Sequence, residues 1–322
     1  WKDELFKTGG HQNYQVSGSG GGQNTQFYSS LSYTKQDGII QNQGLERFTG
    51  NANLTHTFKR LTVQVTSQFS KMIQKKTNEG TSYDGAVANY AFFQSPSSTP
   101  YNEDGSLNNG CGMFGVNPLY EFQHSSDRAT IIKAFNTVKA TYNIWDNLNL
   151  SEKISYDYMT NTNDVLWDRY SNNGGPGGVM QRIISKNEQL NTQTQLTYNK
   201  AFGEHNIDAL LGFETEDNKY AYNYLSGQDY PDDLYELSVA GSTSAESSFQ
   251  SYRLTSFLGR VNYDFGGKYY LSASYRTDGS SRLARENRWG SFWSVSGAWR
   301  FTHENFMEST KEVLTDGKLR LS

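Results

Sequence analysis

The residues able to do chemistry are few and scattered. Five histidines, His11, His56, His124, His205 and His303, stand far apart in the chain, without the short spacings that metal ligation or a nucleophile–base pair uses. The acidic pairs Glu103-Asp104 and Asp232-Asp233 sit beside glycine or proline, a context in which carboxylates make turns. Neither pair belongs to a complete calcium loop. Glycine clusters at 20–22 and 174–178 lack the following Lys-Ser/Thr and the strand-to-helix setting of a phosphate loop, so they read as turns. Cys111 is the single cysteine and has no partner for an intrachain disulfide. No catalytic residue, metal ligand or cofactor site is expected, and the chain is not expected to be an enzyme.

What remains is non-covalent recognition. Tyr101, Tyr120, Phe122, Trp167, Tyr170 and Trp289 fall in segments outside the regular patterns. Rigid aromatic planes there offer stacking area at low entropic cost, to a sugar face or a peptide, or else they pack the segments on one another. Arg276, Arg282, Arg285 and Arg288 form a series that could meet an anionic ligand or be solvated. Arg282 and Arg288, with the six aromatics, make up the candidate ligand-binding set.

The elements that position these residues are strands. In the stretch 268–301, Tyr269, Leu271, Ala273 and Tyr275 alternate with Tyr270, Ser272, Ser274 and Arg276. Trp293, Val295, Gly297, Trp299 and Phe301 alternate with Ser294, Ser296, Ala298 and Arg300. A period of two is a β-strand, and the second face is too polar for a protein core. The same pattern recurs in pairs. Phe48, Ala52, Leu54 and Phe58 pass through Lys59-Arg60 into Leu61, Val63, Val65 and Phe69. Val138, Ala140, Tyr142 and Ile144 pass through Asp146-Asn147 into Leu148, Leu150, Ile154, Tyr156 and Tyr158. Leu190, Leu196 and Tyr198 lead through Phe202-Gly203-Glu204 to Ile207, Ala209, Leu211 and Phe213, and Phe257, Val261, Tyr263 and Phe265 run to Gly266-Gly267. A weaker pair, Tyr14 and Val16 then Phe27, Leu31 and Tyr33, brackets the first glycine cluster.

About twelve strands follow from this count. Short turns near Gly20, Lys59, Asp146, Gly203 and Gly266 alternate with long loops after Tyr33, Ser70, Tyr158, Glu214 and Arg276, the second of roughly sixty residues against the usual handful. All five prolines (Pro96, Pro100, Pro118, Pro176, Pro231) lie in long loops. Short turns at one end and long loops at the other mark a transmembrane β-barrel of the up-and-down kind. Aromatics at strand ends, Tyr156, Tyr158, Tyr263, Phe265, Tyr269, Tyr275, Trp299 and Phe301, suit its girdles.

Composition agrees. The 322 residues include 22 Tyr, 18 Phe and 30 Gly, and 35% are hydrophobic. The mean hydropathy of -0.74 does not oppose a barrel, in which only alternate residues meet lipid. No stretch approaches the ~20 apolar residues of a membrane helix. A net charge of -4 leaves no basic footprint for nucleic acid. The alternative is a soluble β-sandwich or lipocalin-like barrel, with the apolar face inside. The chain opens at Trp1 and stops at Lys318-Leu319-Arg320-Leu321-Ser322 within a strand pattern, so a piece of a longer protein is expected.

The segment GRVNYDFGGKYYLSASYRTDGSSR at 259–282 resembles the barrel of the SusC/RagA-type TonB-dependent transporters, and NRWGSFWSVSGAWR at 287–300 resembles the strand that follows it there. ENFM at 304–307, KLR at 318–320, YNEDG at 101–105 with Asn117-Pro118, FGEHN at 202–206 with LLGFE at 210–214, and YQVSG at 14–18 extend the similarity over nearly the whole chain. The resemblance implies an all-β, antiparallel up-and-down barrel, with residues 1–322 forming about half of 22 strands. Long extracellular loops and short periplasmic turns are expected, with plug domain, TonB box and final strands outside this stretch. It implies an outer-membrane, Bacteroidetes-like nutrient importer of glycan or peptide, working with a SusD-like surface lipoprotein and TonB. Its lumen would be lined by Asn51, Asn53, Gln64, Gln68, Lys153, Asp157 and Arg276. The alternative function is a structural or adhesive barrel whose long loops bind a surface partner; a barrel enzyme would need clustered catalytic side chains in a loop or at the rim.

Overall fold

The computed structural model describes residues 1–77, 94–111, 115–310 and 312–322. It contains one antiparallel sheet of twelve strands, each hydrogen-bonded to its neighbours in sequence. These are β1 (Gly10–Gly21), β2 (Thr25–Asp37), β3 (Gly44–Phe58), β4 (Leu61–Lys76), β5 (Ser125–Trp145), β6 (Leu148–Trp167), β7 (Val179–Phe202), β8 (His205–Gln228), β9 (Ser242–Phe265), β10 (Tyr269–Ser280), β11 (Trp289–Trp299) and β12 (Leu319–Leu321). Among the described residues two short α-helices, α1 (Lys2–Leu5) and α2 (Pro118–His124), lie outside the sheet. No helix among the described residues is long and apolar enough to cross a membrane, which says nothing of strands.

Register carries the alternation from strand to strand. Val65 stands opposite Val138, Val138 opposite Ile154, Leu150 opposite Leu196, and Leu196 opposite Leu211. Farther along, Phe213 faces Phe257, and Ala273 stands between Val261 and Val295. The result is one apolar face across the sheet. It is open: Leu31 is 66% exposed, Leu211 63% and Trp293 77%. A soluble sandwich or lipocalin-like barrel would bury this face, so that alternative is overturned. An exposed apolar surface of this extent is made for hydrocarbon. The other face carries Gln64, Lys139, Lys153, Gln193, Glu214, Ser256 and Asp278 as successive register partners. Asn51, Asn53, Gln68, Asp157 and Arg276 point the same way, so polarity assigns this face to a lumen.

Strands outrun the apolar pattern. β7, β8 and β9 each have 24 residues, where about 9–11 cross a bilayer. The excess lies at the loop end. There the outward positions turn from aromatic to charged, and charges pair across strands: Arg182 with Asp164 at 2.5 Å and Arg253 with Asp217 at 2.7 Å. Lys186 pairs with Glu188 at 2.9 Å beside Tyr156 and Tyr158. Main-chain ladders continue where the hydrophobic signal stops.

The connections at that end are therefore shorter than the pattern implies. Positions 38–43, after β2, form a brief loop instead of a long one, and the others span 77–124, 168–178, 229–241 and 281–288. β1 also runs through Gly18 and Gly20, so the first turn falls at 22–24. Further turns at 59–60, 146–147, 203–204 and 266–268 are tight, with Lys59, Gly203, Gly266 and Gly267 at positive φ. At this end only 300–318 is long. Phe301 leaves the strand there and opens a 3-10 turn at Phe301–His303, followed by another at Asn305–Thr310. Glu304 holds this connection to the sheet, accepting from Tyr269 Oη at 2.5 Å and Trp299 Nε1 at 3.0 Å, with Lys268 Nζ at 3.4 Å. Arg300 grips Asp316 through two nitrogens at 2.7 and 3.0 Å.

Two outcomes follow. Leu211→Arg, in the middle of the outward band of β8, should destabilise the folded barrel by about 2–4 kcal/mol, measured by urea unfolding in lipid. Gln68→Arg on the lumenal face should stay within about 0.5 kcal/mol. The Glu304 carboxylate is held below its ordinary range by the Tyr269 hydroxyl first, then the Trp299 indole and Lys268. A lowered carboxylate contributes its stability above the unfolded value of about 4.3 and loses it as pH falls through the folded value. Glu304→Gln should therefore melt lower than wild type at pH 7, and the two should converge below pH 4.

Candidate functional site

The loop end is built around Asn117. Its side chain is completely buried, accepts from Leu119 N at 3.0 Å to cap α2, and donates to Pro100 O at 2.8 Å and Asn108 O at 3.0 Å. Pro118 at the first helical turn has no N–H to satisfy. Asn117-Pro118 thus starts a helix and gathers the preceding loop in one step. α2 turns Leu119 and Phe122 onto Leu5 and Ile40, with Trp1, Phe6 and Leu107 packed around them. The segment before β1 is drawn in as well, since Phe6 bridges Ile40 and Trp1 Nε1 donates to Ser98 O at 3.1 Å.

The opposite side of α2 clips a second loop. Glu121 is 4% exposed and accepts from Ser171 Oγ at 2.8 Å, Asn172 N at 2.9 Å and Asn172 Nδ2 at 2.9 Å. His124 Nδ1 lies 2.7 Å from Asp168 Oδ2, and Asp168 Oδ1 accepts from the amides of Tyr170 and Ser171. Gly174 allows this turn to close, because a Cβ there would sit 1.8 Å from Asp168 O. Loop 168–178 is then tied to loop 229–241: Arg169 Nη2 donates to Tyr230 O at 3.1 Å, its Nε faces Asp233 at 3.1 Å, and its amide donates to Tyr235 Oη. With loop 38–43 joined through Ile40 and Asn42, four loops become one assembly.

Five of the candidate aromatics belong to this assembly. Phe122 is buried in its core, while its edge and Trp167 line a cavity of about 480 Å³ with Asn42, Lys76 and Val165. Tyr120 and Tyr170 flank the His124 ring, at 4.2 and 5.4 Å between centroids, and Tyr170 is exposed. Burial pushes the Tyr120 hydroxyl up, with Asp168 adding to it. Tyr101 donates to Glu4 Oε2 at 2.6 Å, which raises its hydroxyl too.

The other three candidates lie farther along the sheet, at the loop between β10 and β11, four to five strands from β6. Arg282 stacks on Tyr252 at 3.9 Å, and Tyr252 donates to Glu216 at 2.6 Å on the lumenal face. Arg288 is exposed in loop 281–288. Trp289 opens β11 and stacks on Phe257 at 6.2 Å, on the outward face, which places it among the girdle aromatics.

The lumenal wall beneath is polar and charge-matched. Arg276 reaches Glu214 at 3.2 Å, Asp278 at 2.7 Å and Ser256 Oγ at 3.1 Å, while Gln193 donates to Glu214 at 2.6 Å. Arg276, Glu214, Ser256 and Gln193 line a cavity of about 320 Å³ together with Lys153 and Asn191. Sequence reading found Arg276 but not Glu214 or Asp278, and it missed Glu121 and Asp168, which carry no spacing signal. The acidic turn residues behave as expected: Asp104 accepts from Ser106, and Asp232 from Leu234 N.

A meander with an apolar outer face, a polar charge-matched inner face, tight turns at one end and interlocked loops at the other is the wall of an up-and-down transmembrane β-barrel. No family model matches the chain. Among curated proteins it is similar to the TonB-dependent receptor SusC of Bacteroides thetaiotaomicron, 27% identical over 349 residues covering all of this chain and 34% of that protein. It is likewise similar to the TonB-dependent receptor P3 of Formosa agariphila, 28% identical over 327 residues, covering 98% of this chain and 33% of the relative. The chain thus spans about a third of the length of these relatives. Among solved structures it superposes on the RagAB peptide importer in its open-open state with a TM-score of 0.85 at 23% identity, over 99% of this chain and 37% of that one. The ferric citrate transporter FecA shares the fold more distantly, with a TM-score of 0.56 at 9% identity over 91% of this chain and 39% of that one. The SusC/RagA-type resemblance read from the strand motifs stands.

Glu121→Ala should leave Ser171 and Asn172 without their acceptor, a local loss of about 1–3 kcal/mol for the buried Ser171 hydroxyl. The expected result is faster protease cleavage within 168–178, with the barrel's own melting temperature unchanged.

Proposed function

We propose that this chain is part of the barrel domain of an outer-membrane importer that takes up a glycan or a peptide. Substrate meets the loop assembly from outside and passes along the polar wall, with selective binding and gated passage and no covalent step. The single observation that carries this reading is the pairing of a locked, aromatic-rich loop assembly with a polar lumenal wall on one continuous sheet. The likeness to SusC and to the RagAB importer supports import over adhesion, because an adhesin has no use for a graded polar lumen. By the same likeness, energy comes from TonB acting on parts beyond these residues, and a SusD-like surface lipoprotein covers the loop end. Residues 1–322 then stand as one part of a longer barrel.

Within the candidate set, the exposed members Tyr170 and Tyr101, with Trp167 at the cavity wall, are the contacts for substrate. Tyr120 and Phe122 support them from beneath, and Arg282 lies on the route into the lumen. Tyr170→Ala and Trp167→Ala in the full-length receptor should each weaken substrate binding about 2- to 10-fold, from ~0.5–1.5 kcal/mol per stacked ring. Trp289→Ala should leave it unchanged. Calorimetry with candidate oligosaccharides and peptides, alongside uptake with and without the proton-motive force, checks this. Uptake indifferent to TonB and to every loop substitution would return the reading to adhesion.

A further inference from the structure

The connection 300–318 is anomalous at an end where every other link among the described residues is two or three residues long. Its length is not slack. Glu304 ties its first half to Tyr269 and Trp299, both outward-facing, and Arg300–Asp316 ties its second half to the strand end. Lys318 lies 3.4 Å above the Tyr270 ring on the lumenal side. The connection therefore crosses the rim, and its outer half brings Phe306 to 6.3 Å from the Trp299 ring, with Phe301 at 6.1 Å on the same indole. Phe306 is 66% exposed there, and Val313 and Leu314 farther on are exposed too. A large apolar ring held out from a structured segment, with the half-buried Glu304 hub of three bonds behind it, is presented to something. Its surroundings say to what: Trp299 is register partner of Tyr269 and Leu319, and all three belong to the outward apolar face. Phe306 prolongs that face past the last strand residue, at the level where aromatic rings sit between hydrocarbon and headgroups.

We propose that the outer half of the 300–318 connection is an interfacial anchor that seats Phe306 in the headgroup region of the lipid leaflet at the turn end of the barrel. The segment adds to the rings of Tyr269 and Trp299 in fixing the depth of β10 and β11. Glu304 is a positioning residue in this device. It keeps its charge among the Tyr269 hydroxyl, the Trp299 indole and Lys268 while the neighbouring ring enters lipid.

This rests on the membrane placement of the sheet and not on any substrate. The test uses the full-length receptor in phosphatidylcholine vesicles, with single-cysteine variants carrying an environment-sensitive fluorophore at 306, at 295 on the outward band, and at 97 in the loops. Brominated lipid should quench the 306 probe at least half as strongly as the 295 probe, aqueous iodide should not reach it, and the 97 probe should show the reverse. Adding Glu304→Ala should raise iodide quenching at 306 several-fold and leave 295 unaltered. A 306 probe open to iodide and untouched by brominated lipid overturns the anchor. So does one shielded from both, which would mean that a second copy or a periplasmic protein covers it. A 295 probe that lipid does not quench would instead overturn the membrane placement itself. A probe at 305, exposed beside Phe306 in the same outer half, repeats the measurement if the 306 variant does not fold.

Discussion

Inside a bilayer no water is available for an unpaired amide, so every strand must be satisfied by its neighbours. That constraint underlies everything else in this molecule. Twelve strands pair in unbroken sequence order, with a register irregularity only beside the turn at 146–147. Because side chains alternate with a period of two, a slip of one residue would turn every leucine of a strand toward the lumen and every glutamine toward lipid. The matching of Val65, Val138 and Ile154, or of Val261, Ala273 and Val295, is thus the condition under which both faces exist.

The same ladder frees the two faces to follow different rules. Outward, side chains have only to be apolar and of compatible size, and their packing is loose. Inward, polar groups face a confined wet space and are matched: Arg276 meets two carboxylates and a hydroxyl, and Glu214 is shared with Gln193. Beyond the bilayer the ladder persists under a different outward chemistry, in which ion pairs such as Arg182–Asp164 replace leucines. The protruding strands make a rigid collar, and the loops that cap it can be short and interlocked. Their cohesion comes from a small apolar core of Leu5, Ile40, Leu119 and Phe122 and from buried polar hubs at Asn117 and Glu121. A loop assembly built in this way holds its exposed rings in place, since few rotamers remain open to side chains packed against such hubs.

Strand number, strand order, both faces and four of the five tight turns were legible in the sequence, because each rests on chemistry repeated at i and i+2 or on polar and glycine residues between the repeats; the first turn fell at 22–24 and not at Gly20, since the ladder runs on through the glycines. Strand ends at the loop side were not, since hydrogen-bonded ladders there outlast the apolar alternation by which a strand is recognised. The 300–318 connection escaped notice for the opposite reason: Phe301 keeps the alternation going for one step after the backbone has already left the sheet.

The amino-acid sequence by itself determined that this chain is a membrane-type β-meander with tight turns at one end and longer connections at the other, because period and turn chemistry are local properties. Only the tertiary structure decided which aromatics belong together. It separated Tyr120 and Tyr170, side by side on His124, from Trp289, which stacks outward on Phe257. It also made Glu121 and Glu304 hubs where their surroundings in sequence mark them as ordinary surface carboxylates. Glu121 meets residues some fifty positions away, and Glu304 reaches back 35 to Tyr269. Contacts at such separations are set by how strands align and loops fold back, and no periodicity within the chain encodes them.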